Sequence, residues 1–392
     1  MITATFRRRR ALLAATLLGG SSLAGLAFWN GHPATAQTAP PAIAVPGQAA
    51  NAPTAGFADL VARVRPAVVT ITASGRQEAQ PARSPFQPGS EQDQMFRRFF
   101  GEEGRPQPGP RARREGAALG SGFVVDAEGH VVTNNHVIQG ASQVMVTLDD
   151  GRELPARVVG RDPRTDLALL KVEAGAPLPW LNLGDSDRAR PGDWVVAVGN
   201  PFGLGGTVTA GILSARGRNI GQGPYDDFLQ VDAPINSGNS GGPLFALDGS
   251  VIGVNTAIFS PTGGSVGIGF AIPSGMVRQV VADLKANGRV ERGFLGISTQ
   301  PVSRPVAEAL SLPRPEGAMV AEVTPGSPAA RAGLRPGDVV RAVDGSPVRE
   351  PRDLARLIAG KRPGEQATLS VRRDGQDRDL RAALDPLQDG KS

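Results

Sequence analysis

Gly238-Asn239-Ser240-Gly241-Gly242-Pro243 is the stretch on which the fold turns. A serine set between glycines lets the backbone turn tightly, leaves its Oγ exposed and can aim amide N–H groups at an oxyanion. The same pattern fits the nucleophile elbow of α/β-hydrolases, where the acid and then the histidine follow the serine. Here no histidine follows Ser240; the chain has only His32, His130 and His136. Chain order therefore excludes the α/β-hydrolase reading. A plain glycine turn between strands is the alternative to a nucleophile.

Any histidine partner must come earlier in the chain. His130 follows Glu128-Gly129 at a turn and reads as an exposed hairpin residue. His136 ends the apolar run Val131-Val132-Thr133-Asn134-Asn135-His136 and is the better candidate, although a structural histidine would occupy such a place too. The third member should be a carboxylate that fixes the imidazole tautomer. Asp166 directly precedes the apolar run Leu167-Ala168-Leu169-Leu170, where an unpartnered acid would be costly. Asp162, Asp185 and Asp232 are alternatives that read as turn or solvated residues. The order His136…Asp166…Ser240 is that of chymotrypsin-type barrels. A Ser–Lys dyad is the rival, but Lys171, Lys285, Lys361 and Lys391 lie in no comparable motif.

Outward from these residues the chain reads as mainly β. Between Gly120 and about Pro273, short apolar runs such as Val144–Leu148, Trp194–Val198 and Val251–Val254 alternate with turn signals, the pattern of a barrel or sandwich. A helix follows. Ser274 is placed to cap it, Val277, Val280, Val281 and Leu284 form one face, and Gly288 can end it. Before Gly120, Pro66–Thr72 is strand-like, and residues 76–115 form a long loop carrying Phe96, Phe99 and Phe100. Aromatics in a polar loop of this length suggest a partner surface. Residues 291–385 form a second, small unit of strands and short helices, the longer helix spanning Pro351–Ala359; residues 386–392 are a tail.

The N-terminus reads as an address. Arg7–Arg10 precede an uncharged, mostly apolar run over residues 11–28, and Ala34-Thr35-Ala36 is a small-x-small cleavage signal. Residues 1–36 are thus a signal peptide, with an uncleaved membrane anchor as the alternative. Residues 37–56 are an Ala/Pro/Gln-rich linker, and the unit that carries His136, Asp166 and Ser240 spans 57–288. The body is expected outside the cytoplasm, in a bacterial periplasm.

Composition excludes several classes. The net charge of +5 owes most to the four N-terminal arginines, and without them the two signs nearly balance, so charge gives no case for nucleic-acid binding. There is no cysteine, which removes disulfides, thiolate metal sites and a cysteine nucleophile. With so few histidines, no metal site and no cofactor are expected. No nucleotide-binding glycine loop is present.

With these motifs in hand, the chain resembles the HtrA (Deg, or Do-like) family of exported serine proteases. The resemblance rests on Gly120–Phe123, Thr133–Val137, Thr165–Ala168, Gly199–Gly203, Asp232–Asn236 running into Gly238–Pro243, and Gly267–Pro273. It implies a chymotrypsin-like double β-barrel protease domain followed by a small α+β PDZ domain. It further implies His136 as general base, Asp166 as its orienter and Ser240 as nucleophile, with the N–H groups of Gly238 and Ser240 as oxyanion hole. Ile235 and Ile268 match S1-pocket positions for small or medium aliphatic residues. Arg218 matches a loop arginine that relays activation. Phe294-Leu295-Gly296-Ile297 matches a carboxylate-binding loop for peptide C-termini. The family implies ATP-independent degradation of unfolded or misfolded exported proteins by a homotrimer or its multiples. A holdase with secondary proteolysis, or a membrane-tethered stress sensor, are the competing functions.

Overall fold

Val68-Val69-Thr70-Ile71-Thr72 is β-branched throughout, which disfavours helix and suits a pleated, buried surface. In the computed structural model it forms β1 (Val68–Ser74), which pairs with β2 (Ala118–Val124) on one side and β4 (Gln143–Thr147) on the other. The structure describes residues 56–75, 118–200, 206–236, 238–260 and 264–387. The expected leader, almost all of the linker and the phenylalanine loop of 76–115 lie outside the described residues.

With β3 (His130–Asn134), β5 (Glu153–Asp162) and β6 (Leu167–Val172), these strands close an antiparallel barrel in the order β1-β2-β3-β6-β5-β4. A second barrel closes from β7 (Trp194–Gly199), β8 (Thr207–Arg218), β9 (Phe228–Val231), β10 (Pro243–Ala246), β11 (Val251–Ile258) and β12 (Gly269–Pro273), in the order β10-β11-β12-β9-β8-β7. Closure removes the exposed strand edges that an open sheet of this length would present.

Each barrel has its own interior. Val69, Ile71, Val131 and Leu170 fill the first; Val195, Leu213, Leu229 and Leu244 fill the second. A third apolar layer joins them. Phe123, Val132 and Leu169 from the first barrel meet Val196, Phe245 and Val254 from the second, and the helix Ser274–Asn287 adds Val277, Val280 and Leu284. Burying each aliphatic side chain is worth roughly 1.5–3 kcal/mol, so this layer fixes how the two barrels face each other. Gly288 ends the helix as expected, with φ +69° and its N–H bonded to the Leu284 carbonyl at 2.9 Å. Ser274 does not cap it. It is already the first helical residue, and its hydroxyl instead donates to the Gly184 carbonyl at 2.6 Å and accepts from the Ser186 amide at 3.1 Å.

The C-terminal unit holds a sheet of β14 (Ile297–Pro301), β15 (Ala318–Val323), β16 (Val339–Val343), β18 (Gln366–Arg373) and β19 (Gln376–Ala383) in the order β14-β15-β16-β18-β19, with β17 (Ser346–Pro347) beside β16. A two-stranded ribbon, β13 (Gly293–Phe294) with β20 (Asp385–Pro386), closes its base. The ribbon runs past the expected end of this unit, because Leu387 still donates to the Arg292 carbonyl at 2.9 Å. The helix Pro351–Ala359 is held by a capping box between Glu350 and Asp353 and buries Leu354 and Ile358 in the sheet's core.

Candidate active site

Asp166 is the residue on which the geometry depends. It ends the turn between β5 and β6 with φ +56°, a left-handed conformation that a non-glycine residue rarely adopts. The surrounding bonds hold it there. Its carbonyl accepts the Asn135 amide at 3.0 Å and the Asn134 side-chain amide at 2.9 Å. Its carboxylate accepts the His136 backbone N–H at 2.9 Å through Oδ1, and Oδ2 lies 2.7 Å from His136 Nδ1. Two contacts on one histidine fix both its backbone and the direction of its ring.

His136 sits in the single helical turn Asn135–Ile138 that follows β3. Asp166 comes from the hairpin between β5 and β6, so both belong to the first barrel. Ser240 comes from the second, in the turn before β10. The turn is built from glycine for a steric reason. A Cβ at Gly241 would lie 2.2 Å from the Ser121 carbonyl oxygen and 2.4 Å from Thr133 Oγ1, and its φ is +85°. The two barrels meet there, where the Ser121 amide donates to the Ser240 carbonyl at 2.8 Å. The Asn239, Gly241 and Gly242 amides are all engaged, bonding the carbonyls of Asn236, Asn255 and Asn239. The Gly238 carbonyl accepts from Ser121 Oγ at 2.5 Å.

Thr256, on β11, is a site residue that the sequence reading missed. Its Oγ1 donates to Asp166 Oδ2 at 2.8 Å, and its carbonyl accepts from Ser240 Oγ at 3.3 Å. One residue thereby touches both the acid and the serine hydroxyl. Nothing in Val254-Asn255-Thr256-Ala257 marks it, because the contact is made across the barrels.

Two other expectations are corrected. His130 is not an exposed hairpin residue; it is 7% exposed, with Nδ1 2.7 Å from Asp126 Oδ2. Asp162 is not a solvated turn residue; it is buried and ion-paired to Arg292. Asp185 accepts the Asp187 amide and Asp232 the Ile212 amide, and among the described residues neither carboxylate contacts His136 or Ser240.

A cavity of about 190 Å3 lies against the histidine, lined by His136, Asp166, Thr256, Tyr225, Asp226 and Asp227 among others. Burial pushes both Asp226 and Asp227 above the usual carboxylate range, although backbone amides on Asp226 and nearby arginines on Asp227 act in the opposite direction. Among the described residues, Ser240, Ile235 and Ile268 do not line this cavity. Ile235 lies fully buried in the second barrel and Ile268 half-buried near the inter-barrel layer. Arg218 closes β8 and donates to Gln230 at 2.8 Å.

In the C-terminal unit, Leu295 and Gly296 link β13, which ends at Phe294, to β14. Gly296 has φ +78°, and a Cβ there would lie 2.3 Å from that of Ser327. The Leu295 and Gly296 carbonyls accept from Ala329 and Thr324 at 2.9 Å each. Ile297 then opens β14, the edge strand of the sheet. A loop anchored by its carbonyls beside a free strand edge suits capture of an extended peptide end.

Among the described residues no helix is long and apolar enough to cross a membrane. Asp126, Glu128 and His130 have ligand-type atoms within 4.8 Å of one another, but the Lys285 ammonium is already there, 3.0 Å from Asp126 and 3.3 Å from Glu128.

Known proteins agree with this architecture. Residues 120–254 match the Trypsin-like peptidase domain family and residues 293–384 the PDZ domain family. A probable periplasmic serine endoprotease, DegP-like, of Brucella suis is 48% identical over 363 residues, covering 86% of this chain and 70% of the relative. One of the same description from Rhizobium meliloti is 48% identical over 384 residues, covering 92% and 75%. The solved structure of the HtrA-type protease AlgWS227A with decapeptide superposes with a TM-score of 0.67 at 43% identity, covering 85% of this chain and 98% of that one. A two-barrel peptidase fold, a PDZ domain and this identity to named endoproteases lead to one conclusion: the chain belongs to the HtrA family of DegP-like serine endoproteases.

Proposed function

We propose that Ser240, His136 and Asp166 carry out the peptide-bond cleavage. The observation that carries this reading is the double contact of Asp166 on His136, with Thr256 bridging from Asp166 to Ser240. Ser240 Oγ attacks the scissile carbonyl carbon while His136 Nε2 takes its proton. The carbonyl oxygen becomes an oxyanion, held by the N–H groups of Gly238 and Ser240. Its collapse expels the amine, which receives the proton from His136, and leaves an ester on Ser240. Water, deprotonated by His136, hydrolyses that ester and restores the hydroxyl. Asp166 stays ionised and stabilises the imidazolium.

The substrates are unfolded or misfolded proteins in the periplasm, reached through export by residues 1–36 and cleaved without ATP. Ile235 and Ile268 favour small or medium aliphatic residues before the cut. The loop Phe294–Ile297 receives peptide C-termini. Arg218 relays activation; it adjoins Gly217, whose carbonyl accepts from Arg352 on the PDZ helix at 2.9 Å. The working unit is a homotrimer or a multiple of one.

The test is degradation of an unrelated unfolded protein, without ATP, by the chain from Gln37 and by its Ser240→Ala variant. The wild-type chain should cut after aliphatic residues and the variant should not cut. Suppressed aggregation of the client with no cleavage by either would replace this reading with a holdase.

A further inference from the structure

Among the described residues, Arg292 makes the most buried arginine-to-carboxylate contact between the PDZ end of the chain and the barrels. Its side chain is 8% exposed and its partner Asp162 only 5%. The guanidinium grips Asp162 with two nitrogens, Nη1 to Oδ1 at 3.0 Å and Nη2 to Oδ2. Its other face lies over the Tyr225 ring, 4.9 Å from the centroid. Tyr225 lines the cavity beside His136.

Asp162 is the last residue of β5 and faces Leu167, the first of β6. It therefore anchors the turn that delivers Asp166. The Thr165 hydroxyl, next to Asp166 in sequence, donates to the same Asp162 oxygen that Arg292 holds. This chain of contacts bears on a strained residue, since Asp166 keeps φ +56° only while its surroundings hold it. At its other end Arg292 is fixed to the PDZ unit, because its carbonyl accepts the Leu387 amide beside the β13–β20 ribbon.

We infer that Arg292 is a positioning residue for Asp166: it ties the Asp162–Asp166 turn and Tyr225 to the start of the PDZ unit and so sets the geometry of the His136–Asp166 pair. It touches neither substrate nor the reacting atoms. A buried ion pair is a poor source of net stability and a plausible device for holding one arrangement. Small displacements of an orienting group cost turnover steeply, about 100-fold for an ångström. This inference rests on the triad proposed above.

The test uses full-length chains carrying Arg292→Lys, Asp162→Leu with Arg292→Met, and Gln279→Ala. Gln279 bonds the Gly360 carbonyl at 2.8 Å, joining barrels to PDZ without touching the Asp162 turn. Apolar replacement of both ions keeps the site filled and removes the tie. The readouts are the rate at which a fluorophosphonate labels Ser240, and kcat and KM for a cleaved peptide. The double variant should lose about 10- to 100-fold in labelling rate and kcat with KM unchanged. Arg292→Lys, which keeps the charge but not the fork, should fall between it and wild type. Gln279→Ala should match wild type. A folded double variant with wild-type kcat overturns the inference, and so does an equal loss in Gln279→Ala. Should the double variant not fold, wild-type kcat in Arg292→Lys overturns it. Failure of wild-type labelling at Ser240 would instead overturn the triad itself.

Discussion

Two histidine–aspartate pairs flank one short strand of this protein. His130 opens β3 and His136 follows it, and in each the Nδ1-to-carboxylate distance is 2.7 Å. By that distance they are indistinguishable. Their surroundings separate them. Asp126 and His130 lie within one hairpin, and the nearest added groups are Glu128 and Lys285, so the pair is locked among opposite charges. Asp166 reaches His136 from another hairpin, in a strained conformation, and Thr256 then carries the network to Ser240 on the second barrel. A histidine–carboxylate pair is thus a common structural device. In the proposed triad the difference is a hydroxyl from an independent element, Ser240, joined to the acid through Thr256.

The widest separation between the pairs should come from removing each acid. Asp166→Asn should lower kcat by about 10⁴-fold, because an amide can hold the imidazole in the wrong tautomer and cannot stabilise its cation. Asp126→Asn should leave kcat at the wild-type level in protein that remains folded. Equal losses in steady-state peptide cleavage would mean that the two pairs are not functionally distinct. His136→Ala against His130→Ala should repeat the contrast.

Thr256→Val probes the bridge that only one pair has. Valine keeps the shape and the backbone carbonyl but removes the hydroxyl that donates to Asp166. Hydrogen bonds to charged groups are worth about 1.5–3 kcal/mol, so kcat should drop roughly 10- to 100-fold. An unchanged kcat would show that Asp166 is oriented without the Thr256 hydroxyl, by His136, Asn134 and the backbone.

The same contrast explains what could be read in advance. Ser240 and His136 stood out as candidates because glycines frame the one and histidines are scarce enough to isolate the other. The β-rich character was legible because β-branched runs recur between turn signals, a pattern that suits barrel and sandwich alike; the double barrel followed only from the family resemblance. Asp162 and Thr256 were misread or missed for a common reason. Their defining partners are Arg292 and Asp166, at separations of 130 and 90 residues. His130 was misread although its partner Asp126 is only four residues away, because the hairpin folds the ring back onto that carboxylate. Local pattern shows a residue's period and its turn, not which distant side chain will neutralise it. Ser274 failed likewise: its hydroxyl bonds a neighbouring loop rather than its own helix.

The smallest expected effect sharpens the description of the structural pair. Burial opposes ionisation of Asp126, but the His130 backbone N–H, Lys285 and the His130 ring together hold its carboxyl below the usual range. The hydrogen bond to Asp126 in turn raises Lys285 above the ordinary lysine range. A depressed carboxylate stabilises the fold above its unfolded pKa of 3.8 and loses that contribution as pH falls through its folded value. A raised lysine contributes fully below its unfolded pKa of 10.5 and loses it as pH rises through its folded value. The Asp126–Lys285 contact therefore acts between these limits. Lys285 is half-exposed, so Lys285→Met should cost less than about 1 kcal/mol at pH 7. Urea unfolding along a series from pH 7 into acid should show that difference at pH 7 and its shrinking only as pH falls below 3.8, through the folded value of Asp126. A gap that stays constant along the whole acid series would assign the role of Lys285 to the packing of its aliphatic stem rather than to its charge.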